Sequence, residues 1–268
     1  MTSRERVKQT LEFKIPDRVA IYDNVAGDFG EFDLKLFDLY KFNRVEYRKA
    51  AKKNLFLTLS FSCPFQKAAE SLGLENILIM IAENPLGAEK IFAENAQNII
   101  GRAERLKRTG VVFDGAWMWS DMAYKNTTYF SPGTYKKLLH KYHIKLCGYF
   151  KENAMPVILH SDGNCASFIP LYISAGVRVL NPLEIDSGFS DAEFLKKEYG
   201  KGLVLFGNMP ALVLEKSKKE ITEVFKKRLE ILKAGGGFIY HGDKPIPETV
   251  SSENYQFALD IVKKYGKY

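Results

Sequence analysis

The sequence predicts an α/β protein of the (β/α)8 TIM-type barrel class, with its active site at the C-terminal rim of the strands. Three observations carry this. Short apolar runs alternate with longer amphipathic segments, the pattern of repeated strand and helix units joined by right-handed crossovers. No Gly-x-Gly-x-x-Gly follows the first apolar run, which disfavours a dinucleotide-binding sheet. Polar residues gather where the apolar runs end.

The strand runs are residues 18–22, 55–61, 113–119, 157–160, 177–180, 203–206 and 237–240. Each is short and bounded by Gly, Pro or charge, as buried parallel strands are. About seven strands are readable in this way where a full barrel has eight, so an incomplete barrel stays open. Residues 65–110 read as two or three helices without a strand. Ser131 as N-cap and Pro132 at the first helical position open a helix over 134–153. Ser190-Asp191 start another, which ends near Tyr199-Gly200. Residues 217–233 form a third, stopped by Gly235-Gly236-Gly237, and 253–265 a last one. No linker or low-complexity segment interrupts the chain, so residues 1–268 are expected to form one barrel domain.

The chain has 268 residues, 46% hydrophobic and 26% charged, enough for one large α/β domain or two small ones. No stretch approaches the roughly 18 apolar residues of a membrane span. Nothing apolar follows Met1-Thr2-Ser3-Arg4-Glu5-Arg6, so no signal peptide is read and a cytoplasmic location is expected. The net charge is +7. Its lysines are scattered at helical spacings, as in Lys52-Lys53, Lys196-Lys197 and Lys226-Lys227, which marks solvated helix faces. No nucleic-acid motif accompanies them, and neither a nucleic acid nor a membrane is expected as a partner. Cys63, Cys147 and Cys165 are odd in number and form no CxxC, which suits a reducing compartment. Cys147 reads as a small buried hydrophobe on a helix.

A barrel places its reactive groups where its strands end. These ends are Asp23-Asn24, Ser62-Cys63-Pro64-Phe65, Trp119-Ser120-Asp121-Met122, His160-Ser161-Asp162-Gly163-Asn164, Asn181-Pro182-Leu183-Glu184, Gly207-Asn208-Met209 and His241-Gly242-Asp243-Lys244. Imidazole and carboxylate are both zinc ligands, so His160 and Asp162 form a candidate pair, with Asp243, His241, Glu184 or Cys165 as a third donor. The alternative is a hydrogen-bonded pair that shapes the loop or binds a polar substrate group. His140 and His143 share a helix face and could also bind a metal, though a surface position is the simpler expectation. Trp117 reads as core and Trp119 as a wall of a ligand site. Cys63 reads as a small residue before Pro64 rather than a reactive thiol. Asp121 lies among apolar residues, which would raise its pKa and suit acid–base work; its alternative is to cap the loop that follows.

The chain resembles the uroporphyrinogen decarboxylase superfamily, and within it the cobalamin-dependent methyltransferase-like branch. The residues that carry the resemblance are Thr2-Ser3-Arg4-Glu5-Arg6-Val7 with Ile15-Pro16-Asp17-Arg18-Val19, Trp119-Ser120-Asp121 with Tyr124-Lys125-Asn126 and Phe130-Ser131-Pro132, and Pro156-Val157-Ile158-Leu159-His160-Ser161-Asp162-Gly163-Asn164. Asn181-Pro182-Leu183-Glu184, Phe206-Gly207-Asn208, Gly235-Gly236-Gly237-Phe238-Ile239 and Glu253-Asn254-Tyr255 continue the series. Together they cover residues 1–22 and 55–268.

The resemblance implies catalytic roles for Asp121, Tyr124 and His160. It implies substrate contacts from Trp119, Asn126, Asn164, Glu184, Asn208 and His241, and metal ligation by His160, Asp162 and Asp243. It implies zinc, a thiol or other small-molecule substrate, and a corrinoid carried on a partner protein; a homo-oligomer stays open. Two departures stand out. The branch usually binds zinc through His-x-Cys-Gly, and here Asp162 stands at the cysteine. Asp243-Lys244 falls where many members have Asp-His. True decarboxylases hold their substrate with an arginine-rich loop after the first strand, whereas residues 23–27 contain no arginine. The chain is short for the family between residues 22 and 55, leaving the barrel incomplete, closed in another way by residues 29–47, or completed by a partner subunit. Porphyrinogen decarboxylation and a degenerate, ligand-binding barrel remain the alternatives to methyl transfer.

Overall fold

The computed structural model of the protein describes residues 1–23 and 32–268; Asn24 and Phe29 lie outside the described residues. Eight parallel strands alternate with helices, the (β/α)8 TIM-type class. The strands are β1 (Ala20–Ile21), β2 (Leu34–Asp38), β3 (Phe56–Ser62), β4 (Gly115–Trp119), β5 (Val157–His160), β6 (Val179–Asn181), β7 (Val204–Phe206) and β8 (Phe238–Tyr240). The helices are α1 (Ser3–Leu11), α2 (Arg44–Lys52), α3 (Pro64–Leu72), α4 (Leu74–Glu83), α5 (Pro85–Arg108), α6 (Pro132–Leu138), α7 (His140–Glu152), α8 (Ile169–Ala175), α9 (Ala192–Tyr199), α10 (Lys218–Lys233) and α11 (Ser252–Tyr265). No described helix is long and apolar enough to cross a membrane.

The strand count corrects the sequence reading. The segment between residues 22 and 55 supplies β2, so eight strands are present among the described residues rather than about seven. β2 reads Leu-Lys-Leu-Phe-Asp and buries Leu34 and Phe37 while exposing Lys35 and Asp38. A mixed pattern of this kind lacks the continuous apolar run that marks a doubly covered strand.

The chain divides into two compact units. The first comprises Met1–Lys35, Ala50–Phe56 and Val179–Tyr268. Its strands lie in the order β1-β8-β7-β6, with Ala20 paired to Ile239 and Val179 to Val204. β6, β7 and β8 are buried at every residue. Ser217 and Glu220 cap α10 reciprocally, which satisfies amides that the first turn leaves unpaired.

A buried charge cluster organises this unit. Asp33 is fully buried and meets Arg6 at 2.5 Å and Arg18 at 2.8 Å. Its Oδ2 also accepts the Ile21 amide at 2.7 Å, and its backbone bonds both Ile21 and Phe56. One carboxylate therefore links α1, β1 and the starts of β2 and β3. Arg6 is shared with Asp17, whose carboxyl its guanidinium holds below the usual range.

The second unit comprises Leu36–Lys49 and Leu57–Arg178, with strands in the order β5-β4-β3-β2. Its core includes Phe61 stacked on Phe150, with ring centroids 5.0 Å apart. Such a pair adds about 0.5–1.5 kcal/mol beyond its area burial. The predicted helix over 134–153 is two helices, because Leu139 departs from helical geometry at φ −119°. His143 is completely buried, contrary to the surface position expected for it. Its face of α7 turns inward, where Nδ1 lies 2.8 Å from the Tyr135 hydroxyl.

Two measurements follow. Asp33→Ala strands two arginines, one of them buried, and is expected to cost about 3–5 kcal/mol of unfolding free energy in denaturant titrations. Burial pushes the His143 imidazole down to about 3. An unfolded imidazole titrates near about 6.5, so between these values the unfolded chain binds the extra proton. Stability from this group is complete above about pH 6.5 and falls as pH drops toward 3. Unfolding free energies across that window should lose slope, by up to about 1.4 kcal/mol per pH unit, in a Tyr135→Phe/His143→Leu variant.

Candidate metal centre and active site

The site begins with strand register. β3 pairs Ser62 with Trp119, and β4 pairs Trp119 with His160, so these three residues share one rung at the strand ends. Side chains alternate along a strand, which places Trp117 and Trp119 on one face. Both rings pack on His160, with Trp119 edge-on at 4.5 Å and Trp117 stacked at 5.8 Å. The imidazole is fixed between them.

Asp121 and Asp162 follow immediately after β4 and β5. His160 Nε2 lies 3.4 Å from Asp162 Oδ1 and 3.8 Å from Asp121 Oδ1. One ligand atom from each of the three residues lies within 4.8 Å of the others. Zinc holds nitrogen and oxygen ligands at about 2.0–2.2 Å, which spaces neighbouring tetrahedral donors roughly 3.3–3.6 Å apart. The His160–Asp162 separation already matches, and Asp121 needs only to draw in. The donor set therefore fits a divalent ion and leaves coordination positions for a substrate.

Asp121 is held from two sides. Its backbone N–H donates to Gln66 Oε1 at 2.9 Å, and Gln66 Nε2 donates to Asp121 Oδ2 at 3.4 Å. The Asp162 N–H donates to Asp121 Oδ1 at 3.1 Å. Burial raises the Asp121 pKa, and His160 opposes that rise in part. Gln66 sits in the first turn of α3, where its own amide donates to Cys63 Sγ at 3.4 Å. Cys63 is thus a buried N-cap, its thiol pushed up to about 11 by burial.

The loop after β4 packs against the loop after β5. Gly163 adopts φ +79°, and a Cβ there would lie 2.7 Å from the Tyr124 carbonyl oxygen. The same oxygen accepts the Asn164 N–H at 2.9 Å. Asn164 also reaches the Asn126 carbonyl at 3.4 Å. The exposed Tyr124 ring stacks on Tyr129 at 5.9 Å. Trp119, Asp121, Tyr124, Asn126, His160, Asp162 and Asn164 are thus brought together within one unit. A cavity of about 410 Å3 adjoins them and shares Trp119, Gln66 and Ser62 as walls.

Asp243, Asn208, Glu184 and His241 belong to the other unit. Asp243 is not among the three clustered ligands; its oxygens accept the Ala211 amide at 2.9 Å and the Ile185 amide at 3.3 Å. Asn208 is fully buried, with its amide donating to the Leu183 and Phe189 carbonyls and its side-chain oxygen accepting from Arg228. Glu184 accepts the Ser187 hydroxyl at 2.6 Å. His241 donates through Nδ1 to the Gly242 carbonyl at 2.5 Å, with Nε2 3.7 Å from Asp23 Oδ1. Cys165 is buried and is also outside the clustered three. Gln66 was not foreseen; its place one turn after a strand-end cysteine was the available signal.

The sequence matches the family described as uroporphyrinogen decarboxylase (URO-D) over residues 44–265. No curated protein is matched. Among solved structures, the fold is similar to a methyltransferase from Methanosarcina mazei, with a TM-score of 0.65 and 16% identity. That match covers 82% of this chain and 62% of the other, so the chain spans 62% of that relative's length. It is also similar to D-psicose 3-epimerase from Clostridium cellulolyticum H10, a structure containing D-tagatose, with a TM-score of 0.52 and 8% identity. This second match covers 99% of this chain and 94% of the other. At such identities the likeness shows the barrel fold alone.

Gly163→Ala tests the packing of the two loops. Its cost should be about 1–3 kcal/mol, from a left-handed backbone and a close approach to Tyr124. Amide exchange should accelerate over residues 121–130 more than in the strands.

Proposed function

The chain belongs to the uroporphyrinogen decarboxylase family, and on that premise we propose that it is a metal-dependent, methyltransferase-like enzyme. It passes a methyl group between a corrinoid on a partner protein and a small thiol. The observation that carries this reading is the convergence of Asp121, His160 and Asp162 at the ends of β4 and β5. The Methanosarcina mazei protein of similar fold is named a methyltransferase, which agrees with it.

In this reading His160, Asp121 and Asp162 hold the metal. When bound, a divalent ion of this kind stabilises a thiolate at neutral pH. The chain's own residues do the rest. Two carboxylates balance a charge of +2, so an arriving thiolate keeps its negative charge. Gln66 and the Asp162 amide fix the direction in which Asp121 presents its oxygens. Trp117 and Trp119 hold the His160 ring and keep water from one side of it. Tyr124, exposed at the mouth, Asn126 and Asn164 contact the substrate. Decarboxylation of a porphyrinogen is disfavoured, because residues 23–27 carry no arginine to hold its carboxylates.

Metal analysis is the direct test. Protein purified without chelators or a metal-affinity tag should contain about one equivalent of zinc or another divalent ion. His160→Ala and Asp162→Ala should lose it while their circular dichroism stays unchanged. Gln66→Leu, which releases Asp121 without removing a ligand, should weaken binding about 10–100-fold in chelator competition. Methyl transfer from methylcobalamin to a thiol should fall with metal content. A metal-free wild-type protein without turnover would sink the proposal in favour of a ligand-binding barrel.

A further inference from the structure

We infer that a small apolar pocket between α5 and α7 is a docking site for an acidic segment of a partner protein, anchored by one aliphatic side chain. The inference is independent of the proposed metal chemistry. The pocket has a volume of about 90 Å3 and lies within one unit. Leu59, Ala103, Phe150 and Met155 line it and are buried. Lys107 and Val112 are exposed and Asn153 is half-buried, so these three form its mouth. A dry cavity of about 150 Å3 holds benzene, so this smaller one suits a branched aliphatic side chain. Val112 is 69% exposed, yet its backbone is fixed: the Tyr47 hydroxyl donates to its carbonyl at 2.8 Å and accepts its N–H at 3.1 Å. A lone surface valine is ordinary, but one held at the mouth of an open apolar pocket marks a contact surface. Val112 precedes β4 and Met155 precedes β5, whereas Asp121, His160 and Asp162 stand at the other ends of these strands. A partner docked here leaves the candidate metal ligands uncovered.

Charge sets the kind of partner. Residues 102–113 hold the cations Arg102, Arg105, Lys107 and Arg108 against one acid, Glu104. Glu104 accepts the Tyr149 hydroxyl at 2.8 Å, and Arg102 is taken up by Asn98 at 2.9 Å and by the Tyr40 ring at 4.7 Å. Arg44 of α2 comes to the same corner, where it donates to the Thr109 carbonyl at 3.4 Å. Lys107 donates to Asn153 Oδ1 at 2.6 Å, a neutral partner that leaves its charge uncompensated. Lys151 and Glu152, next to Asn153 in the chain, cancel one another. Among the described residues, none of Arg44, Arg105, Lys107 and Arg108 has an ion pair, and all four are exposed. The end of a helix draws cations through its dipole, but Arg44 belongs to another helix and no dipole explains the open apolar pocket. Carboxylates flanking one aliphatic residue match this surface in both charge and shape, with the anchor in the pocket and arginine pairs around it. The exposed apolar residue is a valine rather than a ring that would stack a base, which favours a protein segment over a nucleic acid.

The probe is a fluorescein-labelled peptide, Glu-Asp-Leu-Glu-Asp, read by fluorescence anisotropy. Controls carry Ser in place of Leu, or Lys in place of every acid. Wild-type protein should bind the acidic leucine peptide saturably and about tenfold more tightly than the serine peptide, as expected for one buried leucine. The basic peptide should not bind. Arg105→Glu/Arg108→Glu changes two exposed positions and should weaken the acidic peptide about tenfold or more. Ala103→Leu fills the pocket and should abolish the preference for leucine over serine while the preference for acid over base remains. Circular dichroism checks the fold; where Ala103→Leu does not fold, Val112→Ser at the exposed mouth should reduce the leucine preference instead. No saturable binding up to about 1 mM would overturn the docking site. Equal binding of the leucine and serine peptides to wild-type protein, or an unchanged affinity in the arginine variant, would do the same. Tighter binding of single-stranded oligouridylate than of the peptide would overturn it in favour of a nucleic acid.

Discussion

The parallel register of β4 against β5 places Trp119 opposite His160, and the candidate site depends on it. In a strand, a slip of one residue sends every side chain to the other face. Such a slip would exchange His160 for Leu159, a buried core residue, and carry Trp119 away from the imidazole. The register is strongly held because both faces of these strands are covered. Ala116, Trp117, Met118, Ile158 and Leu159 are all buried, so a slipped pairing would have to repack them. Packing that serves only stability therefore also fixes the position of the titratable groups.

From that rung outward the polar groups support one another. Asp121 sits where burial opposes its charge, yet it receives hydrogen bonds from Gln66 and from the Asp162 backbone. His160 gives a partial electrostatic counterweight. A half-buried carboxylate with such partners costs less than one left bare, but it still gains from a cation. The same physics operates at Asp33, where two arginines and a backbone amide surround one buried carboxylate. There the cations are built into the chain, so the cluster is complete. At Asp121 the neighbouring groups are an imidazole and a second acid, a combination suited to an added divalent ion.

Much of this was legible in the sequence, and the reasons for the exceptions are physical. β4, β5, β7 and β8 are near-continuous apolar runs and read as buried strands. Ser131-Pro132 and Ser217 announced the starts of α6 and α10 because caps are local chemistry. β2 was missed because it is covered unevenly and keeps Lys35 and Asp38 in solvent. The burial of His143 was also illegible: helical spacing shows that His140 and His143 share a face, but not what packs over it. The Gln66–Asp121 pair joins residues 55 apart, a contact that only the fold creates. His160, Asp162 and Asp121 were each marked by a strand end. Asp243 carried the same mark, yet its carboxylate is engaged by the Ala211 and Ile185 amides, because a strand end locates a residue without stating what its oxygens will meet.

Asp162 shows how one donor changes the character of such a site. A thiolate is soft and selects zinc and copper, whereas carboxylates are harder and admit a wider range of divalent ions. A site of one imidazole and two carboxylates discriminates less among metals by donor type, so geometry and metal supply weigh more in the choice. Asp162 also contributes through its backbone, since its N–H binds the same Asp121 oxygen that faces His160. That main-chain bond is available to any non-proline residue at this position. In the proposed metal site, an aspartate rather than a cysteine at this position would therefore leave the placement of Asp121 intact and act on the donor atom itself, altering the hardness of the site while keeping its charge.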